Sequence, residues 1–130
     1  MTWWNIIHNR VHLGNTLHTP GRGIPSVNSR PFKIFSKDSA KIVISSGSGL
    51  IRLEKSCFDT IARAFNNKPS LWLRIASLHE NVPFQDSADE IIRSVTGANL
   101  ARGNYVCSIL EHCKLVKFAM KGNRKVIVLP

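Results

Sequence analysis

Histidines and arginines lie close together in the first 30 residues, and both residue types can act on phosphate esters. His12 and His18 could serve as general acid and base, while Arg22 and Arg30 could stabilise the charge of a phosphoryl transition state. One hypothesis is therefore a metal-free phosphodiesterase or ribonuclease. His8 and His12 have the spacing of a metal pair on a helix, but no HExxH pattern or neighbouring carboxylate completes such a site. We predict no metal and no cofactor.

A second set of polar residues lies near the C-terminus, at the start of a predicted helix and in the hairpin that follows it. Asn99, Arg102 and Asn104 are of the types that form bidentate hydrogen bonds with adenine and guanine edges. The basic residues that would contact phosphates follow them: Lys114, Lys117, Lys121, Arg124 and Lys125. We predict these two groups together as a nucleic-acid-binding site, and we assign no catalytic residue.

The charge of the chain is compatible with that site. Its 130 residues contain 18 Lys and Arg against 8 Asp and Glu, which gives a formal net charge of +10. Counted along the sequence, residues 1–40 carry +4 and residues 99–130 carry +5, whereas residues 67–98 carry −1. Such an excess attracts polyphosphates, anionic surfaces or acidic partners, so nucleic acid is one of several possible partners.

Local signals define the elements of the C-terminal part. Ser87 and Glu90 form a capping-box pattern that opens one helix, and residues 96–99 form a turn that ends in an N-cap residue. Residues 100–113 are predicted as a second helix, and residues 115–129 as two strands around Gly122 and Asn123. That hairpin should place Phe118 opposite Ile127 and Met120 opposite Lys125. Basic side chains then gather at its tip and on one side.

Periodicity also orients the second helix. Its predicted inward residues are Val106, Ile109, Leu110 and Cys113. Its outward residues should be Asn104, Ser108 and Glu111, with Arg102 and Tyr105 at the flanks. The outward face would be the one that reads bases.

With this order of elements, residues 87–129 resemble the winged-helix family of DNA-binding domains, in which two helices are followed by a basic hairpin. The resemblance implies non-enzymatic binding of DNA, more than of RNA, with phosphate contacts dominating the affinity. Winged helices also serve as protein-interaction modules, so the fold would not determine the function by itself.

The N-terminal half has a different pattern. Residues 2–13 are predicted as a short helix capped by Thr2, with a strand as the alternative, and residues 14–31 as a loop. Residues 32–54 are predicted as a three-stranded meander that pairs Ile44 with Ile51, Ile42 with Leu53, Phe32 with Ile44 and Ile34 with Ile42. A helix should begin at Ser56. Another should run from Ser70 to about His79, although alternation of Leu71, Leu73 and Ile75 also suits a strand.

We therefore predict an α+β protein: a three-stranded antiparallel meander with packed helices, then a winged-helix-like unit ending in a β-hairpin. Residues 1–130 should form a single compact unit with sub-modules 1–66 and 69–130. Cys57, Cys107 and Cys113 fall at apolar helical positions and should be reduced core thiols, which favours a cytoplasmic protein. No membrane partner is expected. Because Trp3 and Trp4 are adjacent indoles, a homodimer or a protein-interaction module is the alternative function.

Overall fold

A computed structural model shows an α+β protein. It describes residues 2–47, 49–75, 77–79, 82–83, 87–97 and 102–130. For residues 77–79 and 82–83 it describes only the backbone. The predicted fold class is confirmed. No helix in this described part is long and apolar enough to cross a membrane.

The N-terminal half contains a four-stranded antiparallel sheet. Its strands, in spatial order, are β1 Thr16–His18, β2 Pro31–Lys37, β3 Lys41–Ser46 and β4 Gly49–Glu54. The predicted meander is confirmed as β2, β3 and β4, and the β3–β4 register is confirmed by the pairs Ile44–Ile51 and Ile42–Leu53. Strand β1 was not predicted, because its three residues lie within a stretch rich in glycine and proline.

The predicted register between β2 and β3 is wrong. Ile34, not Phe32, lies opposite Ile44, and the pairing is irregular between Ile34 and Ser36. The strand continues to Lys37, which pairs with Ile42, and the irregularity shifts the pairing along the strand. The turn is closed by Asp38, whose carboxylate accepts the N–H groups of Ala40 and Lys41 at 2.8 and 3.0 Å. Alternation alone does not reveal such an irregularity.

Two helices accompany this sheet, α1 Trp3–Arg10 and α2 Lys55–Asn67. The predicted cap of α1 is confirmed, since the Thr2 hydroxyl accepts the backbone N–H of Asn5 at 3.2 Å. The predicted start of α2 at Ser56 is wrong. This helix follows β4 directly, and Glu54 occupies its N-cap position without a side-chain hydrogen bond.

In the described part of the chain, strands rather than a helix follow α2. It contains β5 Leu73–Arg74, β6 Ser77–His79 and β7 Val82–Pro83. The predicted helix from Ser70 to His79 is thus wrong, and the alternation of Leu71, Leu73 and Ile75 is that of a strand. Leu73 and Ile75 are buried. Leu73 and Arg74 pair with Ile127 and Val126 of a C-terminal strand, a distant partner that local periodicity does not reveal.

The C-terminal part comprises α3 Ala88–Thr96, α4 Gly103–His112, β8 Lys117–Lys121 and β9 Arg124–Val128. The Ser87 cap is confirmed by the bond that its hydroxyl accepts from Glu90 N–H at 3.0 Å. Helix α4 begins three residues later than predicted. The hairpin pairs Phe118–Ile127 and Met120–Lys125 are confirmed, and β9 lies between β8 and β5 in a three-stranded sheet.

A buried carboxylate fixes the start of α4. One oxygen of Asp89, which is fully buried, accepts the N–H groups of Arg102 and Gly103 at 3.1 and 3.2 Å. Its other oxygen accepts from Arg93 Nε at 3.0 Å. Gly103 is needed here, since a Cβ atom would lie 2.5 Å from the carbonyl oxygen of Ile75. Asp89 therefore joins α3 to the first turn of α4.

Buried side chains from both halves form one hydrophobic cluster. Each helix contributes to it, for example Ile7 of α1, Phe58 of α2, Ile92 of α3 and Leu110 of α4, together with the inner face of the four-stranded sheet. The helices and strands that position the basic hairpin are therefore packed on the N-terminal sheet as well as on each other.

We predict that Asp89→Ala lowers the free energy of unfolding by about 3 kcal/mol, because it removes the buried carboxylate that accepts from Arg93 Nε and from two backbone N–H groups. Urea unfolding followed by circular dichroism measures the loss. Asp38→Ala, at an exposed turn position, is the matched control and should cost less. Equal losses in the two variants would contradict the role assigned to Asp89.

Candidate nucleic-acid interface

The β8–β9 hairpin presents its cations on two different faces. Alternation along the paired strands places Lys117, Lys121 and Arg124 on one face and Lys125 on the other. The first three are exposed, and none of them forms an ion pair with a carboxylate of the described residues. We call these three residues the basic hairpin face.

A further arginine lies next to this face. Arg74 of β5 is paired with Val126 and so projects on the same side of the sheet as Arg124. Burial lowers the pKa of Arg74, and the positive charge of Arg124 lowers it further. Arg74 therefore adds positive charge to this side of the hairpin.

Lys125 has a different environment. Its ammonium donates to the carbonyl oxygen of Pro20 and to the hydroxyl of Ser26, at 2.5 Å each, and lies 4.9 Å from the ring centre of Phe118. Burial lowers its pKa, with the carboxylate of Glu111 acting in the opposite direction. Lys125 therefore holds the loop between β1 and β2 against the hairpin.

Helix α4 is covered along its middle. The predicted burial of Val106, Ile109, Leu110 and Cys113 is confirmed. The prediction that Ser108 faces outward is wrong: it is 3% exposed, and its hydroxyl donates to the carbonyl oxygen of His18 in β1 at 2.7 Å. The strand that the sequence did not reveal thus packs on the side of α4 that was expected to be free.

The residues predicted to read bases do not lie together on one exposed surface of the described structure. Asn99 lies outside the described residues. Arg102 is half-buried, and its Nε atom is fully buried, so the guanidinium is directed inward. Its positive charge opposes the burial-driven rise in the pKa of Cys57 in α2. Asn104 is half-exposed and lines a cleft. Lys114 is exposed just after the end of α4.

The histidines and arginines of the N-terminal region are partly brought together. Arg22 and Arg30 line one cleft of about 770 Å³ with Asn104 and Tyr105. His18 lines an adjoining cleft of about 340 Å³, which also contains Glu111 and His112. His12 lines neither cleft. The four residues of the phosphodiesterase hypothesis therefore do not share one site.

The remaining histidine and the cysteines considered above contact the backbone or lie in the core. His8 Nε2 lies 2.6 Å from the carbonyl oxygen of Asp38. Cys57, Cys107 and Cys113 are free and buried, as predicted, and burial raises the pKa of each, that of Cys113 to about 11. Within the described ranges, no group of three or more His, Cys, Asp or Glu side chains is placed to hold a metal ion.

The adjacent tryptophans pack on α2. Trp4 is 5% exposed, and its ring centre lies 5.5 Å from that of Phe58. Trp3 is half-buried and stacks on Phe65 at 6.2 Å. Both indoles thus find apolar partners within the same chain.

Comparison with protein-family models, with curated proteins and with solved structures finds no match to this chain.

Lys114 has a left-handed backbone conformation, with φ of 60°, at the end of α4. Glycine adopts this conformation without the steric cost of a Cβ atom. We predict that Lys114→Gly raises the free energy of unfolding by about 0.5 to 1 kcal/mol, measured by urea unfolding. Lys117→Gly, within strand β8, is the control and should destabilise. A lower free energy of unfolding in Lys114→Gly would contradict this prediction. It would show that the lysine side chain stabilises the fold by more than the left-handed backbone conformation destabilises it.

Proposed function

We propose that this protein is a non-enzymatic nucleic-acid-binding protein, with DNA a better ligand than RNA, and that the basic hairpin face is its main contact surface. The observation that carries the proposal is that the exposed side chains of Lys117, Lys121 and Arg124 lie on one side of the hairpin, next to Arg74. None of the three forms an ion pair with a carboxylate of the described residues. Such a face binds phosphates because each contact releases condensed counterions from the nucleic acid.

The winged-helix assignment is part of this proposal. It is supported by the order α3, α4, β8 and β9, which is the order on which the resemblance rests, and by the strand β5 that joins the hairpin in one sheet. In this protein the hairpin would lie along the phosphate backbone as a wing. Lys114, at the end of α4, would add a further phosphate contact.

Helix α4 would contribute little base recognition. Its middle is packed on β1 through Ser108, and the guanidinium of Arg102 is directed inward. The helix therefore has no free face along its middle with which to enter a major groove. Of the predicted base-reading residues that are described, Asn104 remains accessible. We therefore propose binding dominated by phosphate contacts, with weak dependence on base sequence.

The two alternative functions have weaker support. An enzyme would need His12 near the arginines, and His12 is absent from both clefts that hold the other three residues. A homodimer through Trp3 or Trp4 would need exposed indoles, and both pack on α2. Buried free thiols are compatible with a reducing compartment such as the cytoplasm, which we retain as the proposed location.

We predict that replacing Lys117, Lys121 and Arg124 together by Ala reduces the slope of log K against log salt concentration by about 2 to 3, since each phosphate contact contributes about 0.9 to that slope. Fluorescence anisotropy with a labelled duplex of random sequence, titrated at several salt concentrations, gives both slopes.

The matched control replaces Arg52, Arg63 and Lys68 by Ala. These cations are also exposed, so the net charge changes by the same amount, but they lie on β4 and around the end of α2. An equal change of slope in both triple variants would mean that net charge alone drives binding. Absence of DNA and RNA binding by the wild-type protein at low salt would refute the proposed function.

A further inference from the structure

A concave surface lies beside the loop that Lys125 holds against the hairpin, and it is not needed for the function proposed above. It is the cleft of about 770 Å³ between the β1–β2 loop, the end of β3 and the first turn of α4, and we call it the Arg22–Arg30 cleft. Its lining carries two guanidinium groups, hydroxyls and amides: Thr19, Gly21, Arg22, Asn28, Ser29, Arg30, Ser46, Asn104 and Tyr105. None of these residues is acidic.

The loop that forms one wall is held by many hydrogen bonds. At its base, Thr19 N–H donates to the carbonyl oxygen of Arg30 at 2.8 Å, and Arg30 N–H donates to the Thr19 hydroxyl at 2.9 Å. Nearer the tip, Arg22 and Val27 exchange two backbone hydrogen bonds of 2.7 and 2.8 Å. The two arginines therefore project from a backbone of defined conformation.

Two further contacts hold the loop in place. Lys125 joins it to the hairpin through Pro20 and Ser26. Gly21 has a φ of 63°, and a Cβ atom on it would clash with the carbonyl oxygen of Val27, so the turn requires glycine. A loop of this length would otherwise sample many conformations.

The opposite wall is also fixed. The Tyr105 ring meets Phe32 edge-on, with ring centres 5.2 Å apart, and the Tyr105 hydroxyl lies 3.3 Å from the hydroxyl of Ser46. Asn104 stands next to it on the first turn of α4. Because both walls are packed before any ligand arrives, binding would cost little ordering of the protein.

We propose that the Arg22–Arg30 cleft binds the phosphate group of a nucleotide. Arg22 and Arg30 supply planar donors that match phosphate oxygens, and no carboxylate in the lining competes for them. The hydroxyl and amide groups can bond to the sugar and base, and the volume falls in the range of small-ligand sites, roughly 300 to 1,000 Å³. The phosphate can belong to a free nucleotide or to the phosphorylated end of a strand.

The test measures binding of pyrophosphate, AMP and adenosine to the full chain by isothermal titration calorimetry at low salt. We expect pyrophosphate and AMP to bind and adenosine to bind at least about tenfold more weakly, since hydrogen bonds to a charged group account for most of the affinity. R22Q/R30Q should weaken AMP binding by about tenfold or more, while the matched control R52Q/R63Q, with the same charge change, should not.

A second variant tests the geometry rather than the charge. Gly21→Ala keeps both arginines but cannot keep the turn, so it should weaken AMP binding while leaving the affinity of the basic hairpin face for duplex DNA unchanged. Equal binding of adenosine and AMP, no binding of either phosphate compound, or equal losses in R22Q/R30Q and R52Q/R63Q would each overturn the proposal.

The source of the phosphate is distinguished with single-stranded oligonucleotides in the K117A/K121A/R124A background, where the basic hairpin face is neutralised. Tighter binding of a 5′-phosphorylated oligonucleotide than of AMP would assign the site to a strand end, and the reverse order to a free nucleotide. This measurement does not depend on the hairpin cations, because they are absent from the variant. A failure of the cleft to bind phosphate can therefore be distinguished from a failure of the basic hairpin face to bind duplex DNA.

Discussion

Burial of α4 on both sides along its middle is the constraint on which the rest of the structure depends. Val106, Cys107, Ser108, Ile109 and Leu110 are five successive buried residues, so the helix has no free face there. One side packs with the other helices, and the other side meets β1 through the bond from Ser108 to the carbonyl oxygen of His18. This contact attaches the N-terminal sheet to the C-terminal unit. It also places the β1–β2 loop beside the hairpin, where Lys125 holds it.

This packing limits the mode of nucleic-acid binding that we propose. A helix that is covered along its middle cannot present a row of side chains to base edges, so in our proposal exposed cations carry the affinity. The cations that we assign to binding lie on two surfaces: the basic hairpin face, with Arg74 beside it, and the Arg22–Arg30 cleft. The excess of positive charge at both ends of the sequence is therefore distributed over separate sites, each with its own proposed ligand.

The elements that the sequence predicts correctly are those defined by local chemistry. Ser87 caps α3 three residues before Glu90, and the two hairpin registers follow from alternation around a tight turn. The features that it missed depend on distant partners: β1 is a strand because β2 lies beside it, and Ser108 is buried because β1 covers it. Asp89 was visible as an acidic residue near a helix start, but its role as an acceptor for the start of α4 depends on how the two helices meet. The sequence therefore predicted the register of the β8–β9 hairpin but not the packing that covers the middle of α4.

The central claim is that nucleic acid contacts the basic hairpin face while α4 stays covered. Amide chemical-shift mapping by NMR, with a duplex titrated into isotope-labelled protein, tests it directly. We expect shifts concentrated at residues 117–124, with residues 106–110 unshifted and still protected from hydrogen exchange. Shifts at residues 106–110 together with loss of their protection would mean that the sheet moves away and the helix enters the groove, which would contradict the account.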